Sequence, residues 1–522
     1  MLNSKKMKRI SIATLLLAAT LSSCSLDILP ENAQTYDTSF NNEDGVNSAT
    51  ASVEYFINTN IPNNNTFTTV GMFADTLQDD MEVRRWNPRR IIGQNESWKE
   101  LYNIIFASNV IVDNIHLAKD LTDDRRNHYL GQAEFGLGLS YFLLAQRFDD
   151  AVITENSYVI KEYATSSRMD VINTAIDHAT KAFNMLPTYD KLRKMDGTPI
   201  TNKQTASKGT CAALLAHLYA WKGSIIELMK LEGDAQAAYT KSMEYSTMLI
   251  NKQVGDYSLC STPEELCQCF SAPEKTNPEA IFSLFYDKAR SSQTFSPNKV
   301  ADAFVSWPVD ETQTPAEITS RPRFKLYKET ISKLYPDAGD LRRTAFFYKF
   351  DTDHTHGGHN YAIPYKFRTA VIDPDQTAPS GKLYRTINAD YVYWRLADFY
   401  LLRAECAAKL GNDAQAIADL NVIRNRAGAT AYPSANDTKG LRKAIFRERE
   451  REFLAENDAR YADIIRNNYI KDELTGKFTT LTLSDIRGGA LGLPLPIDAK
   501  TDKDGNPINK LIRQKTYWQR YE

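Results

Sequence analysis

The sequence predicts a mainly α-helical protein: a scaffold of helical hairpins that carries a loop-rich, irregular region and few short strands. Three observations lead there. Most of the chain places apolar residues at helical period, as Leu396, Phe399, Tyr400, Ala404, Ala407 and Leu410 do. Two stretches, "GDAQAAY" at 233–239 and "GNDAQAI" at 411–417, repeat one turn signature between long helices. Residues 251–384 break the pattern with many Pro, Gly, Ser and Thr.

The chain begins basic, with Lys5, Lys6, Lys8 and Arg9, and continues with an apolar run at residues 10–21. That run is too short to span a hydrocarbon core of ~30 Å as a helix. A charged start, a short apolar middle and small Ser22 and Ser23 make residues 1–23 a secretory signal. The order Leu-Ser-Ser-Cys, ending at Cys24, resembles the bacterial lipobox. The resemblance implies a diacylglyceryl group on Cys24, cleavage before it, and acylation of the new amino group. Each buried methylene contributes about 0.8 kcal/mol, so more than one chain makes a stable tether. No later stretch reads as a transmembrane helix.

Candidate helices follow at residues 96–119, 123–148 and 170–186, from about Thr205 through "AALLAHLYAWKG", and at 438–456. Gly411 suits the left-handed position that ends a helix, and Asn412 or Asp413 can cap the next. Helical hairpins with small residues at the crossing suggest tetratricopeptide-like repeats. The scaffold is expected over about 40–250 and 385–456, with a ligand-facing insertion over 251–384. An irregular tail, 457–522, closes the chain with strand and turn signals such as "DKDGNP".

The chain is 42% hydrophobic and 25% charged, ordinary for a globular protein. Loss of residues 1–23, which carry four cations and no acid, takes the formal charge from −2 to −6. That argues against nucleic acid, which needs a basic face. Cys211 and Cys406 lie in helical patterns and are expected to be buried and inert. Cys260, Cys267 and Cys269 cluster in "CSTPEELCQC", where one disulfide is possible and a metal site is disfavoured by spacing.

Seven motifs in order resemble the SusD/RagB family of outer-membrane lipoproteins from Bacteroidetes. They are the lipobox at Cys24, "WKELYNIIFASNVIVDNI" from Trp98, "AEFGLGLSYFLLAQRFDD" from Ala133 and "NPEAIFSLFY" from Asn277. Then come "DYVYWRLADFYLLRAECAAKLGN" with "AIADLNVIRNRAG", "LRKAIFREREREFLAENDARYADIIR" from Leu441, and "LPLPIDAK" from Leu493. The resemblance covers nearly all of residues 24–522, as a single SusD-like domain. It implies a surface lipoprotein, not an enzyme and without a cofactor, that captures an oligosaccharide. It further implies delivery to a TonB-dependent outer-membrane transporter, over which the protein lies as a lid. A peptide or glycoprotein cargo on the same scaffold is one alternative; a lipid-anchored glycan hydrolase is another.

No Walker loop, Gly-x-Ser-x-Gly elbow or His-Glu-x-x-His stands in the sequence. "DTDHTHGGHN" at 351–360 holds His354, His356 and His359 and invites a zinc reading. As a calcium loop it fails, since its glycine falls late and no acid stands in the twelfth position. A solvated turn is the preferred reading. "RERERE" at 447–452 is expected to form ion pairs within and between helices.

A sugar offers flat C–H faces and a ring of hydroxyls, so its site needs an aromatic plate and planar polar partners. Trp98, Trp221 and Trp394 lie in helical patterns and are assigned to the core, while Trp518 is undecided. Trp86, among polar residues in "DDMEVRRWNPRR", and Trp307, in "FVSWPVD", are the expected glycan plates. Asp80, Arg84 and Asn87 would serve the first; Arg290 and Asn298 would serve the second.

Overall fold

The computed structural model describes residues 36–63, 84–92, 97–271, 276–284, 326–356, 358–374, 376–377, 381–387, 389–456, 459–502 and 504–522. Cys24 lies outside them. The longer helices are α1 (Glu43–Asn63), α2 (Lys99–Asn114), α3 (Asp123–Phe148), α4 (Arg168–Met185), α5 (Lys208–Met229) and α6 (Ala235–Ile250). After them come α7 (Pro263–Ser271), α8 (Leu396–Lys409), α9 (Asp413–Arg426), α10 (Leu441–Phe453) and α11 (Ala459–Arg466).

Each boundary has a local cause. Thr122, Ser167, Asp234 and Asn412 cap α3, α4, α6 and α9, accepting backbone N–H bonds from Arg125, Asp170, Ala237 and Gln415. Ser207 and Thr210 form a reciprocal capping box on α5. Gly411, at φ 78°, ends α8 in the left-handed conformation that its sequence predicts. Close crossings need small residues. A Cβ on Gly138 of α3 would lie 3.0 Å from the Ala179 nitrogen of α4.

The helices pack largely in chain order, α1 on α2 and so on to α5 on α6. α6 then packs on α8, although residues 251–395 lie between them. α8 packs in turn on α9 and α10. The two hairpins that share a turn signature, α5–α6 and α8–α9, are therefore neighbours in one helical array.

The intervening residues leave this array through a two-stranded neck. β1 (Ala280–Leu284) pairs antiparallel with β7 (Tyr391–Arg395), with Phe282 opposite Trp394. Beyond the neck lie β2 (Leu326–Tyr327), β3 (Thr355–His356) and β4 (His359–Ala362), in the order β2-β4-β3, and the ribbon β5 (Ala370–Pro374) with β6 (Lys382–Ile387).

Three sequence expectations change. Trp394 is on strand β7 rather than in the helix, because Tyr391 to Trp394 find a cross-strand partner in β1; it is buried all the same. The strands that flank the "HTHGGH" turn pair as a β-hairpin rather than running as irregular loop, with His356 opposite His359, while its described residues stay exposed or half-buried, as a solvated turn would. The tail shows no named strand among the described residues and instead uses short helices, Ile470–Glu473 and Leu483–Arg487, and an isolated bridge from Thr501 to Pro507.

"RERERE" forms ion pairs as expected, but inside the protein. Glu448 and Glu452 are fully buried, and Arg449 nearly so. Arg342 meets Glu448 at 2.6 Å, Glu452 at 3.2 Å and Asp340 at 2.7 Å. Arg395 meets Glu279 at 2.9 Å, Glu452 at 2.8 Å and Glu456 at 2.7 Å. Arg426 bridges Glu279 and Glu452, and Lys366 reaches Glu456 at 2.6 Å. A second cluster joins Arg449 to Asp398 and Asp463, and Arg466 to Asp463 and Glu405. Burial by itself would raise the Glu405 carboxyl, but the Arg466 guanidinium outweighs it and brings the carboxyl down to about 2. Burial likewise opposes ionisation of Glu452, and Arg426, Arg395 and Arg342 overcome it, holding that carboxyl well below its usual range.

Removing one partner of such a cluster strands the others. Glu452→Ala should cost about 3–5 kcal/mol, read as a lower urea midpoint. The depressed carboxyls also set an acid limit. Their contribution is fully present above the unfolded glutamate value of roughly 4.3 and is lost as pH falls from there through the folded value, about 2 for Glu405. Stability measured from pH 7 downward should hold to about pH 5 and then fall steeply.

Candidate functional site

Trp86 is not a surface plate. It is fully buried, stacked on Phe478 at 4.9 Å between ring centroids and edge-on to Trp518 at 5.9 Å. Its Nε1–H donates to the Ala490 carbonyl oxygen at 2.7 Å. The polar neighbours in sequence are misleading because the residue docks the segment 84–92 onto the C-terminal tail; Lys477 N–H donates to the Arg85 carbonyl at 2.7 Å. Asn87 caps the short helix Pro88–Ile92, its Oδ1 accepting from Arg89 N–H at 3.2 Å. Arg84 and Asn87 are half-buried beside a closed ring, so they do not frame one open to a sugar. Asp80, Arg290, Asn298 and Trp307 lie outside the described residues.

The remaining tryptophans are core. Trp98, Trp221 and Trp394 are buried as expected, and Trp518 joins them, donating its Nε1–H to the carbonyls of Gly489 and Gly492. Cys211 and Cys406 are buried thiols, Cys406 pushed up to about 12 by burial. Among the described residues no group of His, Cys, Asp and Glu is placed to hold a metal ion. His354 is turned away from the hairpin tip: its Nε2 faces the Tyr348 carbonyl at 3.2 Å.

The hairpin that carries those histidines presents a different feature. Side chains two apart on a strand share a face, which puts His359 and Tyr361 of β4 together. Register places Tyr327 of β2 opposite Tyr361. The Tyr327 and Tyr361 rings stack at 5.7 Å, and His359 lies 5.1 Å from Tyr327. Tyr361 is buried, Tyr327 half-buried and His359 exposed, so the group forms a shelf anchored at one end and open at the other. Tyr348 and Tyr365 make a second contact nearby at 5.6 Å, with the Arg368 guanidinium 4.4 Å over Tyr365.

Polar groups fix the hairpin beside the shelf. Asn360 donates through Nδ2 to Asp353 Oδ1 at 2.7 Å and accepts the His354 N–H at 3.0 Å. Lys328, next to Tyr327, donates to the same Asp353 oxygen at 3.0 Å. These bonds, the Lys328 one foremost, hold the exposed Asp353 carboxyl below its ordinary value. At neutral pH it is an acceptor, and it is ill-suited to the raised-pKa acid role of glycoside hydrolysis. Flat rings, a carboxylate, an amide and an ammonium are what a hydroxylated ring with apolar faces can use. No tryptophan marks this group in the sequence. The usable signal was "HNYAIPY", where His359, Tyr361 and Ile363 alternate at strand period.

No helix among the described residues is long and apolar enough to cross a membrane. Two family models match the chain. The SusD family model covers residues 334–486, and a model described as starch-binding, associating with the outer membrane, covers residues 26–219. SusD-like protein P25 of Formosa agariphila is 23% identical over 438 residues, spanning 77% of this chain and 76% of that protein. A solved SusD homolog from Bacteroides thetaiotaomicron superposes with a TM-score of 0.72 at 19% identity, covering 91% of this chain and 98% of that one. NanU from B. fragilis does so with a TM-score of 0.67 at 19% identity, covering 93% and 99%. At these identities the likeness of the solved structures is one of fold.

Trp86→Ala should therefore act on stability. Deleting a fully buried indole costs about 3–5 kcal/mol, to be seen as a lower unfolding midpoint.

Proposed function

Since the chain belongs to the SusD/RagB family of glycan-binding, outer-membrane-associated proteins, we propose that it is a cell-surface lipoprotein that binds an oligosaccharide and delivers it to a TonB-dependent transporter. Cys24 is the acylated first residue of the mature chain, and residues 24–522 act as one SusD-like domain. The reading is carried by the shelf of Tyr327, His359 and Tyr361, which stands on the insertion and not on the helical array. A pyranose ring lies against the Tyr327 and His359 faces, and Asp353, Asn360 and Lys328 meet its hydroxyls. By residue chemistry Trp307 offers a further ring, and Asp80, Arg290 and Asn298 further hydrogen-bonding groups. The helical array, held stiff by its buried ion pairs, is the side that meets the transporter barrel.

Each aromatic contact is worth about 0.5–1.5 kcal/mol. Tyr327→Ala and His359→Ala should each weaken an oligosaccharide by roughly two- to tenfold in calorimetry, with the fold intact by circular dichroism. Unchanged affinity in both variants would remove the shelf from the site. Binding of a peptide panel in place of any oligosaccharide would move the reading to a peptide cargo. Detergent extracts of the native outer membrane should yield the protein together with a large β-barrel transporter; recovery of the chain alone would count against the lid.

A further inference from the structure

The cluster Cys260, Cys267 and Cys269 offers three sulfurs, and the fold separates them. Cys267 and Cys269 are two apart on α7, which turns them about 200° from one another, so they cannot meet. Cys267 is buried, and its Sγ–H donates to the Ala345 carbonyl at 3.4 Å. Cys269 looks the other way, is half-buried, and lies within hydrogen-bonding reach of Cys260. Cys260 is held there from behind: its N–H donates to Glu279 Oε1 at 2.9 Å, and Ser258 N–H donates to the Pro278 carbonyl at 3.0 Å.

We propose that Cys260 and Cys269 are a modification site that closes to a disulfide when the chain meets a disulfide-type oxidant, leaving Cys267 free. In the cell this rests on the export reading above, since such bonds persist in oxidising compartments. The Cys269 thiolate attacks one sulfur of the oxidant's disulfide and expels a thiolate, giving a mixed disulfide. The Cys260 sulfur, giving its proton to the leaving thiolate, then displaces the oxidant's second sulfur. Two cysteine thiols become one disulfide, and the oxidant's disulfide becomes two thiols. The order follows from exposure. Burial pushes the Cys260 thiol up, so the half-exposed Cys269 makes the first attack.

The bond would staple the segment before α7 onto that helix. α7 in turn holds the approach to β5: Glu264 pairs with Arg368 at 2.6 Å, Ser271 Oγ accepts the Arg368 N–H at 3.1 Å, and Phe270 stacks on Phe367 at 5.0 Å. The staple therefore ties that wall of the insertion to the segment that Glu279 anchors.

The test is thiol mapping of the full chain. The reduced protein is incubated with oxidised glutathione, alkylated while unfolded, and digested without reduction. Peptide 253–275 should appear two hydrogens lighter, with alkyl on Cys267 alone; Cys260 and Cys269 should take alkyl only after reduction. Cys267→Ser should keep the bond, and Cys269→Ser should leave Cys260 open to alkylation. Three alkylated cysteines, a glutathione adduct on Cys269 that does not close, or a bond to Cys267 would each overturn the pairing. The same mapping on protein taken from membranes should find the bond already made. Free thiols there, with closure by glutathione, would overturn the cellular claim while leaving oligosaccharide binding to its own test.

Discussion

The Glu452 carboxylate, buried among Arg342, Arg395 and Arg426, is the interaction on which the architecture turns. A buried charge is tolerated only when every partner is in place. Those partners come from separate segments: Arg342 from the insertion, Arg395 from the end of β7, and Arg426 from the end of α9. Glu279, just ahead of β1, is held by Arg395 and Arg426 at the same point. The cluster thus gathers both strands of the β1–β7 neck at one end, together with the last turns of α9 and α10. Leu396 N–H, donating to the Glu279 carbonyl at 2.9 Å, closes the neck on the backbone side.

That constraint explains how a long irregular insertion coexists with an orderly stack. α6 packs directly on α8 across residues 251–395, and β1 and β7 bring the two ends of the segment between them to one place beside the array. The insertion also packs back on the array: Arg342 pairs with Glu448 and Glu452 of α10, and the Tyr335 hydroxyl donates to the Arg451 carbonyl at 2.6 Å. The β2-β4-β3 sheet is one result, and its aromatic shelf is built from strand register and not from the helical repeat.

Much of the scaffold was legible in the sequence because its signals are local. Periodicity located α3 to the residue, and Gly411 and Asn412 marked the α8–α9 turn through backbone conformation and side-chain capping. The candidate site was legible only in part. Loop position and polar neighbours nominated Trp86, yet its burial depends on Phe478 and Trp518, which lie some four hundred residues further along the chain. Tyr327 carries no local signal, and His359 stands out in sequence only as one of three clustered histidines, for the converse reason. They become a shelf only when β2 and β4 pair.

By itself the sequence determined most of the helices, the α8–α9 turn and the place where the array is interrupted, since each rests on composition or on contacts within a few residues. Only the tertiary structure decided which aromatics are closed and which open, which cysteine faces Cys260, and that "RERERE" is an interior hub. Those outcomes depend on partners distant in sequence. Burial, pairing and the cost of an unpaired charge are properties of assembled neighbours, and no local pattern carries them.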